Sequence, residues 1–473
     1  GAHGLATSKA TITIDGWEPE GGWAAWIAEV GSIEERRAVL YWHRDGETLA
    51  EARTVLDGVV ADAQFGGVGE VLDFALERRS AGEELMPPPT AAVSLSDWPT
   101  AAESALGKLP PILFGYPGSR GGVGQVLPAV PVLYTSVGGT GFLAVAHGEI
   151  AGTTCKITRV AGGVGVLSEW SGAPITETTK SGRTVSIVVG SLDTPSGFFV
   201  DDGQYYLGFD ETTGTDGGVA GWDGQPRRGA ADIMLWALEQ YSTAEIDRPR
   251  WEREAAWLNT YCVDTYVNAP VSPTEWIERA VLPFLPVRLR QGARGVWLQP
   301  RRYRGALQDV VRDLSADRGD VTRAGRVGRR DPVLNRFSVS YRYGRTRYYA
   351  ARSLQALPGI LSPTPAGYDI RELGRLDLQL SALRFGERTA PHMNCPMTWD
   401  NTTAERILQD QADRYAWPKR AVQYVGPLDL DSIDPGQIVR LTDSELGVDG
   451  ALALVEEVTV SIDEVALDLT LLD

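Results

Sequence analysis

Across residues 335–343 apolar and polar side chains alternate one for one. Phe337, Val339, Tyr341 and Tyr343 share one face, and Arg336, Ser338, Ser340 and Arg342 share the other. That is the period of a strand with one face on a core and one on solvent or a partner. Shortly before it, Leu307, Val310, Val311 and Leu314 recur at i, i+3, i+4 and i+7. This spacing predicts a helix over 306–314.

Period two returns near the N-terminus. Residues 10–14 and 37–43 predict strands, as does the apolar run 23–30. Residues 55–62 and 70–78 predict a pair joined through Gly66-Gly67-Val68-Gly69. Glycine turns at this short spacing predict a compact antiparallel sheet. Met86-Pro87-Pro88-Pro89 ends the unit, because three prolines cannot continue a ladder and favour an extended connector. A short helix reaching Leu106 is predicted next. A second β-rich unit then opens at Leu109, with strands predicted over 130–134, 141–148, 153–160 and 184–189. A small barrel or sandwich closes such a set.

The period changes after Asp223. Residues 224–229 read as a linker, and 232–241 predict a helix with Ile233, Trp236, Ala237 and Tyr241 on one stripe. Ser272-Pro273-Thr274-Glu275 carries the residues of a capping box and starts another, with Trp276, Ile277 and Ala280 inward. Residues 296–300 predict a strand. Residues 402–415 predict a helix with Ile407, Leu408 and Ala412 buried. Strands are predicted at 421–425 and 437–442. The chain ends in a predicted hairpin: Val458, Val460 and Ile462 alternate, Asp463-Glu464 turn, and Val465, Leu467, Leu469 and Leu471 alternate. The fold class expected is α+β, mainly β and multidomain, with domains at 1–95, 109–223, 224–360 and 361–473.

Charge adds an asymmetry to this pattern. The 473 residues carry a net charge of -17, which excludes a global nucleic-acid footprint. Yet residues 286–353 contain seventeen arginines, five aspartates and no lysine, so the remainder is more acidic still. These arginines either pair within the chain or face a partner chain, a role for which arginine is favoured. Arg301, Arg302, Arg304, Arg336 and Arg342 are the candidate subunit-interface residues.

Candidate chemistry is sparse. The glycine-rich stretch 115–124 lacks the Gly-Lys-Ser/Thr of a phosphate loop and reads as a turn. His392 and Cys395 put an imidazole near a thiol, without a recognisable orienting carboxylate or oxyanion turn. Asp201, Asp202, Asp210, Glu211 and Asp216 read as a solvated loop, since calcium-loop spacing is missing. His3, His43, His147 and His392 are scattered, with no paired-ligand motif. Cys155, Cys262 and Cys395 are odd in number and far apart, and are expected as core thiols, neither bridged nor metal-bound. No apolar run is long enough to span a membrane, and the first residues lack the basic and apolar regions of a signal peptide. The expectation is no enzyme, no catalytic residue, no cofactor and no metal.

The order of these features resembles a family. Trp98-Pro99 follows a β-rich start, and Pro111-Ile112-Leu113-Phe114-Gly115 opens an inserted β-unit. Asn335-Arg336-Phe337-Ser338-Val339-Ser340-Tyr341 lies in an α+β half. Asp434-Pro435-Gly436-Gln437-Ile438-Val439-Arg440-Leu441-Thr442-Asp443 precedes the terminal hairpin. The pattern is similar to the baseplate hub, or tail tip attachment, proteins of long-tailed phages and gene transfer agents. It covers most of 109–473, and residues 1–90 match only in general character. Gln437 stands where an aspartate often sits in such elements. The resemblance implies a homotrimer closing the distal end of the tail tube in the virion. Each subunit would supply two tube-like domains, so that three subunits mimic a six-fold ring. It further implies a distal tail protein above, a central fibre or tail tip protein below, tape measure protein in the lumen and transient passage of DNA, with no stable membrane insertion. It carries no enzymatic motif. Two other readings remain at this point: a cell-envelope hydrolase, and a carbohydrate-binding module suggested by fourteen tryptophans.

Overall fold

The computed structural model describes residues 9–15, 36–42, 48, 53–66, 71–77, 82–115, 127–133, 142–148, 155–160, 166–172, 174–189, 204–209, 228–292, 295–325, 327–329, 331–341, 351–355, 370–374, 376–395, 397–398, 400–461 and 464–472. The chain divides into two compact units. The first holds Gly1–Glu83, Leu238–Glu254 and Arg288–Gln299; the second holds Glu84–Ala237, Ala255–Val287 and Pro300–Asp473.

The predicted N-terminal sheet is present in the first unit. Strands β1 (Lys9–Asp15), β2 (Arg37–Trp42), β3 (Arg53–Gly66) and β4 (Val71–Glu77) form one antiparallel sheet in the order β1-β4-β3-β2. Gly66 faces Val71, so β3 and β4 reverse where the glycine-rich link was expected. Residues 23–30 lie outside the described residues.

In the second unit the predicted short helix to Leu106 is replaced by a single 3-10 turn, Glu103–Ala105, and a like turn, Pro89–Ala91, lies in the proline connector before it. The prolines and small polar residues here supply too few apolar positions for a helical face. Strand β5 (Ile112–Phe114) is buried throughout. The inserted sheet comprises β6 (Leu127–Leu133), β7 (Phe142–His147), β8 (Cys155–Val160), β9 (Val166–Gly172), β10 (Pro174–Thr178), β11 (Thr184–Val189) and β12 (Gln204–Phe209). Its order is β10-β11-β7-β6-β12-β8-β9. The two edge strands, β9 and β10, are separated by a single residue in the chain. Consecutive Cα atoms lie about 3.8 Å apart, so the sheet has to curl until those strand ends come within about 8 Å of each other. Val93, Ala102 and Ala105 of the preceding connector pack on Ala144 and Ile187 of this sheet. Asp97 accepts hydrogen bonds from the backbone N–H (2.8 Å) and hydroxyl (3.0 Å) of Ser181 in the β10–β11 turn.

Helix α1 (Ala230–Tyr241) buries Ile233, Trp236 and Ala237 of its predicted stripe, while Tyr241 at its end is half-buried. Helix α2 (Arg248–Leu258) follows, then β13 (Thr265–Val267), which pairs antiparallel with β5. Helix α3 (Pro273–Trp276) starts as the capping signature predicts: Ser272 Oγ accepts the Glu275 N–H at 3.3 Å. Trp276 stacks on Phe114 at 5.0 Å, while Trp236 meets the same ring edge-on at 5.8 Å. Strands β14 (Val287–Gly292) and β15 (Gly295–Pro300) form a hairpin, and every residue of β15 is buried.

Residues 306–314 are not a helix. Leu307–Asp309 make one 3-10 turn, and Val310–Ser315 form β16. Leu307 is 68% exposed, Val311 51% and Leu314 1%, so the four apolar residues do not share a face. Adjacent β-branched valines favour a strand, where their χ1 restriction is no handicap. The pairing register also skips one residue between Val310 and Arg312. A bulge inside a period-two strand displaces later side chains by one position, and this imitates helical spacing.

The remaining elements are β17 (Thr322–Arg323), β18 (Gly328–Arg329), β19 (Phe337–Ser340), β20 (Ala351–Gln355), β21 (Ile370–Gly374), α4 (Leu376–Phe385), β22 (Met393–Asn394), α5 (Asn401–Tyr415), β23 (Arg420–Gly426), β24 (Ile438–Asp443), β25 (Val448–Val460) and β26 (Val465–Leu471). One sheet runs β16-β24-β25-β26-β23-β17, with β18 also on β23; the other runs β21-β20-β19-β22. Phe337 and Val339 of β19 and the following Tyr341 are buried, as their alternation demands, while Arg342 and Tyr343 lie outside the described residues. Asp400 caps α5 by accepting the Thr403 N–H at 2.6 Å, and Ile407, Leu408 and Ala412 are buried. The terminal hairpin forms, but its turn sits one residue earlier than predicted. Val460 faces Val465, and the Ser461 N–H donates to the Glu464 carbonyl at 2.9 Å.

Candidate functional site

The candidate arginines begin where the chain leaves β15. There Gly436, with φ +94°, lies so close that a Cβ would stand 2.6 Å from Pro300 Cδ. Only glycine combines that backbone with that approach. Next to it, Gln437 Oε1 accepts the Asp434 N–H at 2.8 Å, closing the turn before β24. Tyr303 then packs on Ile438 and Leu454.

Arg301 and Tyr303 surround a buried carboxylate. Glu456 sits at the register slip in β25, where the skipped residue is turned away from regular pairing. Tyr303 Oη donates to Glu456 Oε1 at 3.1 Å, Thr470 Oγ1 donates to the same oxygen at 3.3 Å, and Arg301 Nε lies 3.5 Å from Oε2. Arg301 also donates to Tyr303 Oη at 2.8 Å. A buried charge held this way is paired and hydrogen-bonded, the condition for keeping it inside.

Arg302 lies over the Trp257 ring at 3.9 Å, and Trp257 meets Tyr261 edge-on at 5.8 Å. Tyr261 donates its hydroxyl to Asp410 at 2.6 Å. Arg304 pairs with Asp413 at 3.1 Å while remaining 71% exposed, and Arg336 pairs with Glu387 at 2.8 Å. Arg301, Arg304 and Arg336 thus have acidic partners in their own chain; Arg342 lies outside the described residues.

Two further arginines escaped the sequence reading. Arg414 holds Asp331 with two bonds, 3.0 and 3.3 Å, and lies over Tyr303 at 5.4 Å and Tyr415 at 4.7 Å. Arg228 falls within the expected linker 224–229 but is anchored: it grips the wholly buried Asp264 with bonds of 2.9 and 3.2 Å. Neither partner is near in sequence, so only the acidic-basic composition hinted at them.

The two free thiols are quenched rather than armed. Burial pushes the Cys395 thiol up to about 12, and burial also raises that of Cys262. A protonated thiol is a weak nucleophile at neutral pH. Both are free thiols. His392 Nδ1 lies 2.8 Å from Ser338 Oγ on the exposed side of β19. Burial lifts the Asp410 carboxyl to about 7, opposed by the Tyr261 hydrogen bond and assisted by Asp413. Residues 116–124 and the carboxylates Asp201, Asp202, Asp210, Glu211 and Asp216 lie outside the described residues. Among the described residues, no three His, Cys, Asp or Glu side chains are grouped to hold a metal ion, and no helix is long and apolar enough to cross a membrane. The arrangement is a set of cross-braces between α5, the arginine segment and the β24–β26 sheet.

No protein-family model matches the chain, and no curated protein matches it. The chain is similar to several solved structures, of which three follow. A native gene transfer agent virion contains a chain with 13% identity and TM-score 0.44, covering 80% of this chain and 88% of that one. A tail protein from Neisseria meningitidis MC58 has 11% identity and TM-score 0.29, covering 73% and 96%. The 43 kDa tail protein of prophage MuSo2 from Shewanella oneidensis has 9% identity and TM-score 0.25, covering 74% and 93%.

Proposed function

We propose that this chain is a structural subunit of a phage-type tail: a trimeric hub that closes the distal end of the tube. The observation that carries the reading is the 434–443 motif, whose resemblance to the tail hub family was drawn from sequence. Its glycine is required by the packing on Pro300, its Gln437 closes the turn, and its apolar residues enter the core of the C-terminal sheet. A motif so bound to architecture belongs to a scaffold. The cross-braced arginines and protonated thiols support the same reading.

In this reading the domains are 1–95, 109–223, 224–360 and 361–473. The neighbours are a distal tail protein, a central fibre or tail tip protein and tape measure protein, with DNA passing through the lumen. Arg304 and Arg336, partly exposed while paired, reach acidic groups of the next subunit; Arg301 and Arg302 stiffen the segment behind them. A cyclic trimer joins two different faces, which suits a chain with one basic span and an acidic remainder. Light scattering tests this. A mass of three chains is expected at about 50 mM salt, falling at about 500 mM without loss of fold, because screening weakens exposed pairs first. A single chain at every concentration and salt, together with hydrolysis of cell-envelope material, would overturn it.

A further inference from the structure

Helix α4 carries apolar residues on two opposite sides. Its inner side buries Leu378 and Ser381, and Ser381 Oγ donates to the Ala416 carbonyl at 2.5 Å. On its outer side Leu380 is 48% exposed and Leu383 78%, the highest value for a large apolar side chain among the described residues. Arg384 and Arg388 border these leucines and are also exposed. Among the described residues neither guanidinium has a carboxylate partner: Arg384 lies over Phe385, and Arg388 Nε donates to the Phe385 carbonyl at 3.2 Å. The end of α4 is fixed in place. Buried Asn335 donates to the Gly386 carbonyl at 2.9 Å and accepts the Arg388 N–H at 2.8 Å. Beside it Arg336 pairs with Glu387, so the patch is continuous with an arginine of the proposed subunit interface.

A face of opposite charge lies on the C-terminal sheet. Glu457 of β25 stands directly across from Asp468 of β26, so both carboxylates leave the sheet on one side. Like charges placed this way repel, and among the described residues neither meets a cation. Beside them runs a row in register across three strands, Val425 of β23, Ala466 of β26 and Thr459 of β25. Val425 and Ala466 are half-buried and Thr459 is exposed. The alternate residues Tyr424, Leu467 and Val458 belong to the core, which makes the Glu457 side the outer one.

We propose that the outer side of α4 docks on this sheet face of a second copy of the chain, Leu380 and Leu383 against the Val425–Ala466–Thr459 row, and Arg384 and Arg388 against Glu457 and Asp468. The contact rests on the trimeric reading and names the two faces that meet in it. Each patch has the charge that the other needs, and neither is satisfied within its own chain. A guanidinium between the two carboxylates offsets their repulsion. The small side chains of the row give the leucines a bed on which to leave water. Because the two faces differ, the contact is heterologous, and it closes into a ring or extends as a filament.

Cross-linking and charge exchange test the contact in the full-length chain. Chains carrying Leu383→Cys are co-expressed with chains carrying Thr459→Cys, and the purified assembly is oxidised. A disulfide-linked pair of chains is expected from the mixture and from neither variant alone, since the two positions meet only across the contact. By light scattering, Arg384→Glu with Arg388→Glu should weaken association about tenfold, and adding Glu457→Arg with Asp468→Arg should restore it. These positions are exposed or half-buried, so circular dichroism should show the fold unchanged in every variant. A trimer that forms without the cross-link and ignores the charge reversal would overturn the contact, leave the trimeric reading standing and turn α4 toward a different partner. The cross-link found in an assembly of any number other than three would support the contact and overturn the trimer. A native chain that stays single at every concentration would overturn both.

Discussion

Asp264 shows no side-chain surface to solvent, and its charge is held by the two-pronged grip of Arg228. Removing one partner of such a pair leaves an uncompensated buried charge. Arg228→Met should therefore destabilise the chain by about 3–5 kcal/mol, measured by urea denaturation. A loss within about 0.5 kcal/mol would show the pair to be dispensable. This interaction was illegible in sequence: Arg228 sits among glycine and proline, which read as a linker, and its partner is 36 positions away. The same limit hid Arg414–Asp331 and the environment of Glu456. By contrast, Ser272 was legible, because a helix cap is written within four consecutive residues.

Elements were legible where one period ran undisturbed. Helix α5, strand β19 and strand β26 of the terminal hairpin follow their patterns, since each keeps one face on a core, while Val460 on the other hairpin strand is exposed. Strand β10 opens with Pro174, and β12 carries Gly208 amid its aromatics, so neither advertises a strand. Strand β16 shows no strand period in sequence because its bulge at Val311 breaks it. The strand assignment makes a prediction that the helix does not. Leu314→Ala should cost about 2–5 kcal/mol, because Leu314 lies in the core with Val439 and Leu441. Val311→Thr should stay within about 0.5 kcal/mol. Thermal or urea unfolding of the two variants checks this, and equal losses at both positions would restore a shared helical face.

For the whole molecule, the sequence conveyed a mainly β, multidomain chain, and the structure has that character among its described residues. What sequence could not convey is how the basic span is used, because charge counts do not say which carboxylate an arginine meets. Within the chain, Arg301, Arg304 and Arg336 already have carboxylate neighbours. A role between subunits then requires these pairs to be shared or exchanged, as a rim that sets register rather than supplying most of the affinity. The account's central claim is one of place and number in a tail. Cryo-electron microscopy of purified particles containing this chain tests it most directly. Three copies arranged around the tube axis at its distal end are predicted. Copies repeated along the tube, or a number other than three at its distal end, would contradict it.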